Sequence, residues 1–131
     1  MGCATAQPRT PDQRRSGFDF MAGETRAMQR DDDANPAMLW VQEGGVLWNT
    51  APGREAKSCA GCHAAAESSM RGVAARYPAW DASLSRPVNL GARINLCRER
   101  HQQLPPLGAD NQQMLSLEAY VAHQSRGLPI A

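Results

Sequence analysis

Apolar residues gather into two helical runs near the ends of the chain, with a long stretch lacking any period between them. The first run begins at Asn35-Pro36, which offers a helix cap and a proline at the first helical position. Met38, Val41, Gly45 and Trp48 then recur near helical spacing, and Leu39, Trp40 and Leu47 widen that face. Gly44 and Gly45 each cost a helix up to ~1 kcal/mol, a cost more easily borne if another helix crosses closely there. The last run predicts a helix over Gln112 to Ser125, with Met114, Leu117, Val121 and Gln124 on one face and Leu115 and Tyr120 broadening it. Arg126-Gly127 supplies a basic last turn and a glycine to end it.

Between these runs, residues 49–57 read as a turn, and Tyr77-Pro78 to Leu90 as irregular chain punctuated by Arg86-Pro87 and Gly91. Residues 91–104 predict a further helix, ended by Leu104-Pro-Pro-Leu107. Residues 7–34 are polar and charge-dense, with a short apolar island at Phe18-Asp-Phe20-Met21. They predict an extended arm pinned through Phe18 and Phe20, holding at most a short helix around Thr25 to Arg30. Asp31-Asp32-Asp33 reads as a solvated turn before the first long helix. No strand alternation and no internal repeat competes with this plan. The expectation is an all-α protein divided into an arm, residues 1–34, and one folded domain, residues 35–131, with long irregular loops.

Composition adds a constraint. A chain of 131 residues suits one domain, which buries somewhat under ~70% of its unfolded surface. Yet 42% hydrophobic residues, a mean hydropathy of −0.51, eleven Gly and nine Pro leave few large apolar side chains for a core. A buried apolar cofactor would relieve that shortage. The net charge of +1 gives no electrostatic footprint for nucleic acid or an anionic membrane surface. No apolar window is long enough to span a bilayer. Ala4-Thr5-Ala6 has the small-x-small form of a signal-peptidase site without the segments that should precede it, and suggests a remnant of a signal peptide. Cleavage after Ala6 would remove Cys3 and leave three cysteines. Ala6 also stands where a myristoylation signal needs Ser or Thr.

Cys59-Ala-Gly-Cys62-His63 is the chemical centre of the sequence. A zinc site needs about four ligands, commonly in pairs, whereas here one cysteine pair stands apart from the scattered Cys97 and His101. A redox dithiol needs a strand-to-helix setting, and nothing before Lys57 resembles a strand. Covalent haem attachment accounts for the spacing directly. Two thiols on one helical turn reach the two vinyl groups, and the adjacent imidazole meets the iron. For the opposite axial position the residues alone leave Met70, Cys97, His101, Met114 and His123 open. A methionine on an apolar face is more often packing than ligand. Cys97, 97 − 63 = 34 residues beyond the histidine, has Arg93, Arg98 and Arg100 nearby to favour a thiolate, with a buried free thiol as the plainer reading.

The segments "SGFDFM", "ETRAMQRDDDANPAMLWV", "SCAGCH", "SMRGVAARYPAWD", "RINLCR" and "AYVAHQSRGLPI" together resemble SoxA, the A subunit family of thiosulfate-oxidising cytochromes, over about residues 14–130. The resemblance implies a cytochrome c-like domain with one covalently attached haem c. Cys59 and Cys62 would form the thioethers, and His63 and Cys97 would bind the iron. It also implies a periplasmic location, a SoxX-type monohaem cytochrome as partner, and the carrier complex SoxYZ as recipient of thiosulfate. The match is to the N-terminal domain of a two-domain family, so the catalytic domain is expected to be missing and the isolated chain not to be catalytic. Two alternatives stand beside this. One is a short, self-sufficient L-cysteine S-thiosulfotransferase in which Cys97 carries the sulfur and Arg93 binds thiosulfate. The other is a plain electron carrier with Met70 or Met114 as ligand.

Overall fold

The computed structural model describes residues 15–128. The chain divides into two compact units, Met1–Asn35 and Pro36–Ala131. The signal-peptide remnant expected at the start, Cys3 included, lies outside the described residues.

In the first unit, Ser16 caps a 3-10 turn over Gly17–Phe20, its hydroxyl accepting from the Phe18 N–H at 3.2 Å. Helix α1 covers Gly23–Arg30, two residues longer at its start than the sequence suggested. The two phenylalanines are engaged locally. The Arg30 guanidinium lies 4.8 Å from the Phe18 ring centroid and that of Arg15 4.7 Å from Phe20, within cation–π range. The acidic run is a turn, as its composition suggested. The Asp31 carboxylate accepts from the N–H groups of Asp33 and Ala34 at 3.0 and 3.3 Å.

The second unit carries the larger helices. Helix α2 spans Ala37–Asn49, α3 Cys59–His63 and α4 Ala66–Ser69, followed by a 3-10 turn at Ala74–Arg76. Helix α5 spans Leu90–Cys97 and runs into one π-helical turn, Arg98–Gln102, before α6 at Gln112–His123 closes the unit. Pro36, in helical conformation, occupies the cap position of α2 and has no polar side chain to cap it with.

The stretch expected to be irregular contains a small antiparallel hairpin, β1 (Ala79–Asp81) with β2 (Arg86–Val88), pairing Ala79 with Val88 and Asp81 with Arg86. Three-residue strands are too short to show an alternating pattern in sequence, and Pro87 disguises the second. A two-strand ribbon has only edges, so the proline breaks no central ladder.

The core forms where α2 crosses α6. A Cβ on Gly44 would collide with the Ser116 carbonyl oxygen and sit 2.8 Å from its carbon. The glycine therefore lets the two backbones touch, as the cost of placing it in a helix had hinted. Gly91 instead makes room on α5 for side chains of α6, since a Cβ would stand 2.7 Å from a Glu118 carboxylate oxygen and 3.4 Å from the Met114 sulfur. Trp48, Ala66 and Val121 make the central buried cluster, with Tyr120, Met70, Val73, Leu90 and Cys59 packed around it. Met114, Leu117 and Val121 are buried on α6 as its periodicity predicts, and Ser116 joins them.

Candidate functional site

The Cys-x-x-Cys-His segment folds as helix α3 because Ser58 caps it, its hydroxyl accepting from the Gly61 N–H at 3.0 Å. Cys59 and Cys62 are thus one turn apart. Cys59 is half-buried, while Cys62 and His63 face outward. None of Cys59, Cys62 and Cys97 is in a disulfide.

The residue after His63 is unusual. Ala64 has φ 60° and ψ −151°, a region essentially confined to glycine and costing of order 1–3 kcal/mol elsewhere. Two hydrogen bonds hold it there. Its N–H donates to the Ala60 carbonyl at 2.8 Å, and its carbonyl accepts from the indole N–H of Trp48 at 3.1 Å. The Trp48 and His63 rings are tilted by 35° with centroids 5.8 Å apart. Sequence reasoning placed Trp48 in the packing without assigning its N–H a partner. No pattern of spacing marks an alanine for positive φ.

Cys97 ends α5, half-buried. Asn89 caps that helix through the Ala92 N–H at 2.8 Å. Asn95 clamps the chain beyond it, donating to the Leu107 carbonyl at 2.9 Å and accepting from the Leu107 N–H at 2.8 Å. The π turn that follows reaches the front of α3, where the Gln102 amide donates to the Lys57 carbonyl at 2.8 Å. The turn after Cys97 is thereby tied to the residue before Ser58, the cap of α3. Burial pushes the Cys59 thiol up from its ordinary value, and the charge of Cys97 is the second cause, partly opposed by Arg98.

The other candidates for the axial position are placed differently. Met114 is 1% exposed, at the contact of α6 with Gly91 of α5. Met70 packs on the Trp48–Ala66–Val121 cluster. His101 is exposed on the π turn, and His123 is the last residue of α6. With Arg93, Leu96, Cys97 and Arg100, His101 lines a cavity of about 30 Å³, room for roughly one water molecule. Arg93 is already engaged, its guanidinium 3.2 Å from the Asp81 carboxylate. Asp81 is buried and its carboxyl is held below the usual range. The Ser83 hydroxyl contributes most, then the Leu84 and Ser83 N–H groups and the charge of Arg100, against burial that pushes it up.

These donors suit a covalently held haem. Two free thiols and an imidazole share one short helix, and a third thiol ends a separate helix whose following turn is bonded to the start of that one. Among the described residues no three His, Cys, Asp or Glu side chains converge as a metal nest, so the four-ligand set of a structural zinc site is not assembled there.

Comparison with known proteins agrees. The family described as SoxA/TsdA, cytochrome c domain, matches residues 43–130. The chain is 43% identical over 115 residues to the L-cysteine S-thiosulfotransferase subunit SoxA of Pseudaminobacter salicylatoxidans, covering 88% of this chain and 40% of that protein. It is 33% identical over 120 residues to the SoxA subunit of Rhodovulum sulfidophilum, covering 92% and 42%. A chain in the crystal structure of SoxXA from P. pantotrophus superposes with a TM-score of 0.81 at 34% identity, covering 88% of this chain and 44% of that one. The chain thus spans about two fifths of the length of these curated relatives. A short helix bearing both thiols and the histidine, packed beside helices that cross at glycine, is in these terms a haem c fold, and the chain belongs to the SoxA/TsdA cytochrome c family.

Proposed function

We propose that this chain is the N-terminal haem c domain of a SoxA-type subunit, with its working part in residues 35–131, and that it serves thiosulfate-linked electron transfer. In this reading Cys59 and Cys62 anchor the porphyrin through thioethers, and His63 and Cys97 are the iron ligands. The haem supplies a one-electron ferric/ferrous couple, and a thiolate ligand lowers its potential by stabilising the ferric state. The chain's own groups set the conditions. Burial pushes the free Cys59 thiol up from its ordinary value, and the Asn95 clamp and the Gln102–Lys57 bond fix the chain on the far side of Cys97 against the start of α3. Arg98 lies near enough to Cys59 to oppose the rise of its thiol.

The observation that carries the reading is the Gln102–Lys57 hydrogen bond at 2.8 Å, which ties the turn after Cys97 to the start of the helix bearing Cys59, Cys62 and His63. The full assembly would join thiosulfate to a cysteine of the SoxYZ carrier and pass the electrons out through haem, with a SoxX-type monohaem cytochrome as partner. Its compartment is the periplasm, where haem c is attached. No helix among the described residues is long and apolar enough to cross a membrane.

The test is electron paramagnetic resonance and near-infrared spectroscopy of the haem-loaded chain beside Cys97→Ser, with intact mass. Expected are one haem per chain and a low-spin His/thiolate signal that the substitution abolishes. A His/Met signal indifferent to Cys97→Ser would overturn the ligand assignment and make the protein an ordinary electron carrier. An additional sulfur on Cys97, with turnover on SoxYZ that Arg93→Ala removes, would replace this reading with a self-sufficient thiosulfotransferase. The Arg93–Asp81 ion pair disfavours that outcome, because substrate would have to compete with Asp81 for the guanidinium.

A further inference from the structure

The geometry points to Trp48 as the positioning residue for His63, acting through the backbone of Ala64. This rests on the reading of His63 as the proximal ligand, and adds to it the group that fixes where the imidazole points.

The direction of the imidazole is set at the exit from α3. His63 ends the helix with its side chain exposed, and the buried ring beside it is that of Trp48, centroids 5.8 Å apart. Beyond that ring contact, its aim comes from the backbone on either side. The N-terminal side is ordinary helix. On the other side Ala64 is in the positive-φ conformation that a Cβ disfavours, and an alanine there would relax unless something held it. The Ala60 carbonyl accepts from the Ala64 N–H, and the Trp48 indole holds the Ala64 carbonyl at 3.1 Å.

Trp48 is well placed to act as a fixed support. It is 4% exposed and belongs to the cluster with Ala66 and Val121. The Tyr120 ring leans on it, with centroids 6.0 Å apart and 54° between planes. Tyr120 is in turn set by the close passage of α2, since a Cβ on Gly45 would stand 3.2 Å from its ring. The direction of the indole N–H is thereby decided by the α2–α6 crossing. A strained turn at the ligand is thus tied to the best-packed part of the unit. A buried indole N–H needs a partner in any case, and here the partner is the one carbonyl whose position decides the path of the chain beyond His63.

The experiment compares Trp48→Phe, Ala64→Gly and the double variant, each haem-loaded, by the g-values of the low-spin ferric signal, the midpoint potential and thermal stability. Trp48→Phe keeps an aromatic ring and removes the donor. It is expected to shift both the g-values and the potential. Ala64→Gly alone is expected to leave both as in the wild type, because glycine accepts the same conformation without strain. In the double variant both should return most of the way to the wild-type values, since the turn no longer needs holding. Unchanged g-values and potential in Trp48→Phe would overturn the proposal, and so would a shift that Ala64→Gly fails to reverse. A wild-type spectrum without histidine ligation would instead remove the reading of His63 on which the proposal stands. If Trp48→Phe does not fold, the indole ¹⁵N–¹H resonance of the wild type decides. Slow solvent exchange that Ala64→Gly leaves intact supports the bond, and fast exchange overturns it.

Discussion

At the scale of single residues, Ala64 and Asp81 show how local chemistry sets the site. Replacing Ala64 by glycine removes a strain of order 1–3 kcal/mol and adds an unfolded-state entropy cost of roughly 0.5–1 kcal/mol. Relief of strain outweighs the entropy cost, so Ala64→Gly should stabilise the chain by about 1 kcal/mol, read as a rise in the urea midpoint with an unchanged slope. Asp81 gives a pH dependence. Its carboxyl is held below the ordinary 3.8, so the folded state binds its proton less readily than the unfolded chain does. The resulting stability is complete above about pH 4 and is lost as pH falls through the lower folded value. Asp81→Asn should flatten this part of the acid-unfolding profile measured by circular dichroism. The thiols and histidine of the attachment motif were legible in the sequence because their spacing is their chemistry. Cys97 was favoured by its separation from His63 and its neighbouring arginines, and singled out by resemblance to a family. Ala64 was invisible, since positive φ at an alanine follows from tertiary hydrogen bonds and from no local preference.

At the scale of elements, the long helices were legible and their ends less so. α6 begins at Gln112 as its pattern predicts and stops at His123, two residues short of Ser125, because the chain continues in turns to Gly127 at φ +76°. α5 was expected to run to residue 104. It loses its α-helical form at Cys97 and completes one π turn, which brings Gln102 onto Lys57. A tertiary bond decides that change, so periodicity could not have located it. The glycines of α2 differ in what they tolerate. In Gly44→Ala the added methyl meets the backbone of α6, which cannot swing aside, whereas in Gly45→Ala it meets the Tyr120 ring. Both variants gain up to about 1 kcal/mol of helix propensity. For Gly44→Ala an overpacking cost of about 1–3 kcal/mol, at the upper end for a backbone collision, exceeds that gain. Thermal melting should show Gly44→Ala losing several degrees and Gly45→Ala changing little. Ser116, whose buried hydroxyl has no hydrogen-bond partner, makes the opposite case. Ser116→Ala should be neutral or stabilising by up to about 1 kcal/mol, measured in the same melts.

At the scale of the whole molecule, the fold class followed from two amphipathic runs at the ends of one domain, while the tie between the attachment motif and Cys97 did not. That tie depends on side chains meeting across the chain, above all Gln102 on Lys57, 45 residues apart. Gln102→Ala should loosen Cys97 relative to α3. Expected are a broadened low-spin ferric signal and a faster exchange of Cys97 for an added imidazole, with thermal stability lowered by no more than about 1 kcal/mol. The same bond has a consequence for how such a chain can change over generations. It closes a ring of sequence that begins just before Cys59 and ends just after Cys97, so every donor assigned to the haem lies inside it. Closing a longer loop costs little, about 0.6 kcal/mol for each doubling. Insertions and deletions in the hairpin region, residues 77–88, can therefore accumulate without displacing either end, and relatives should vary in length there while the clasp and its four donors keep their places.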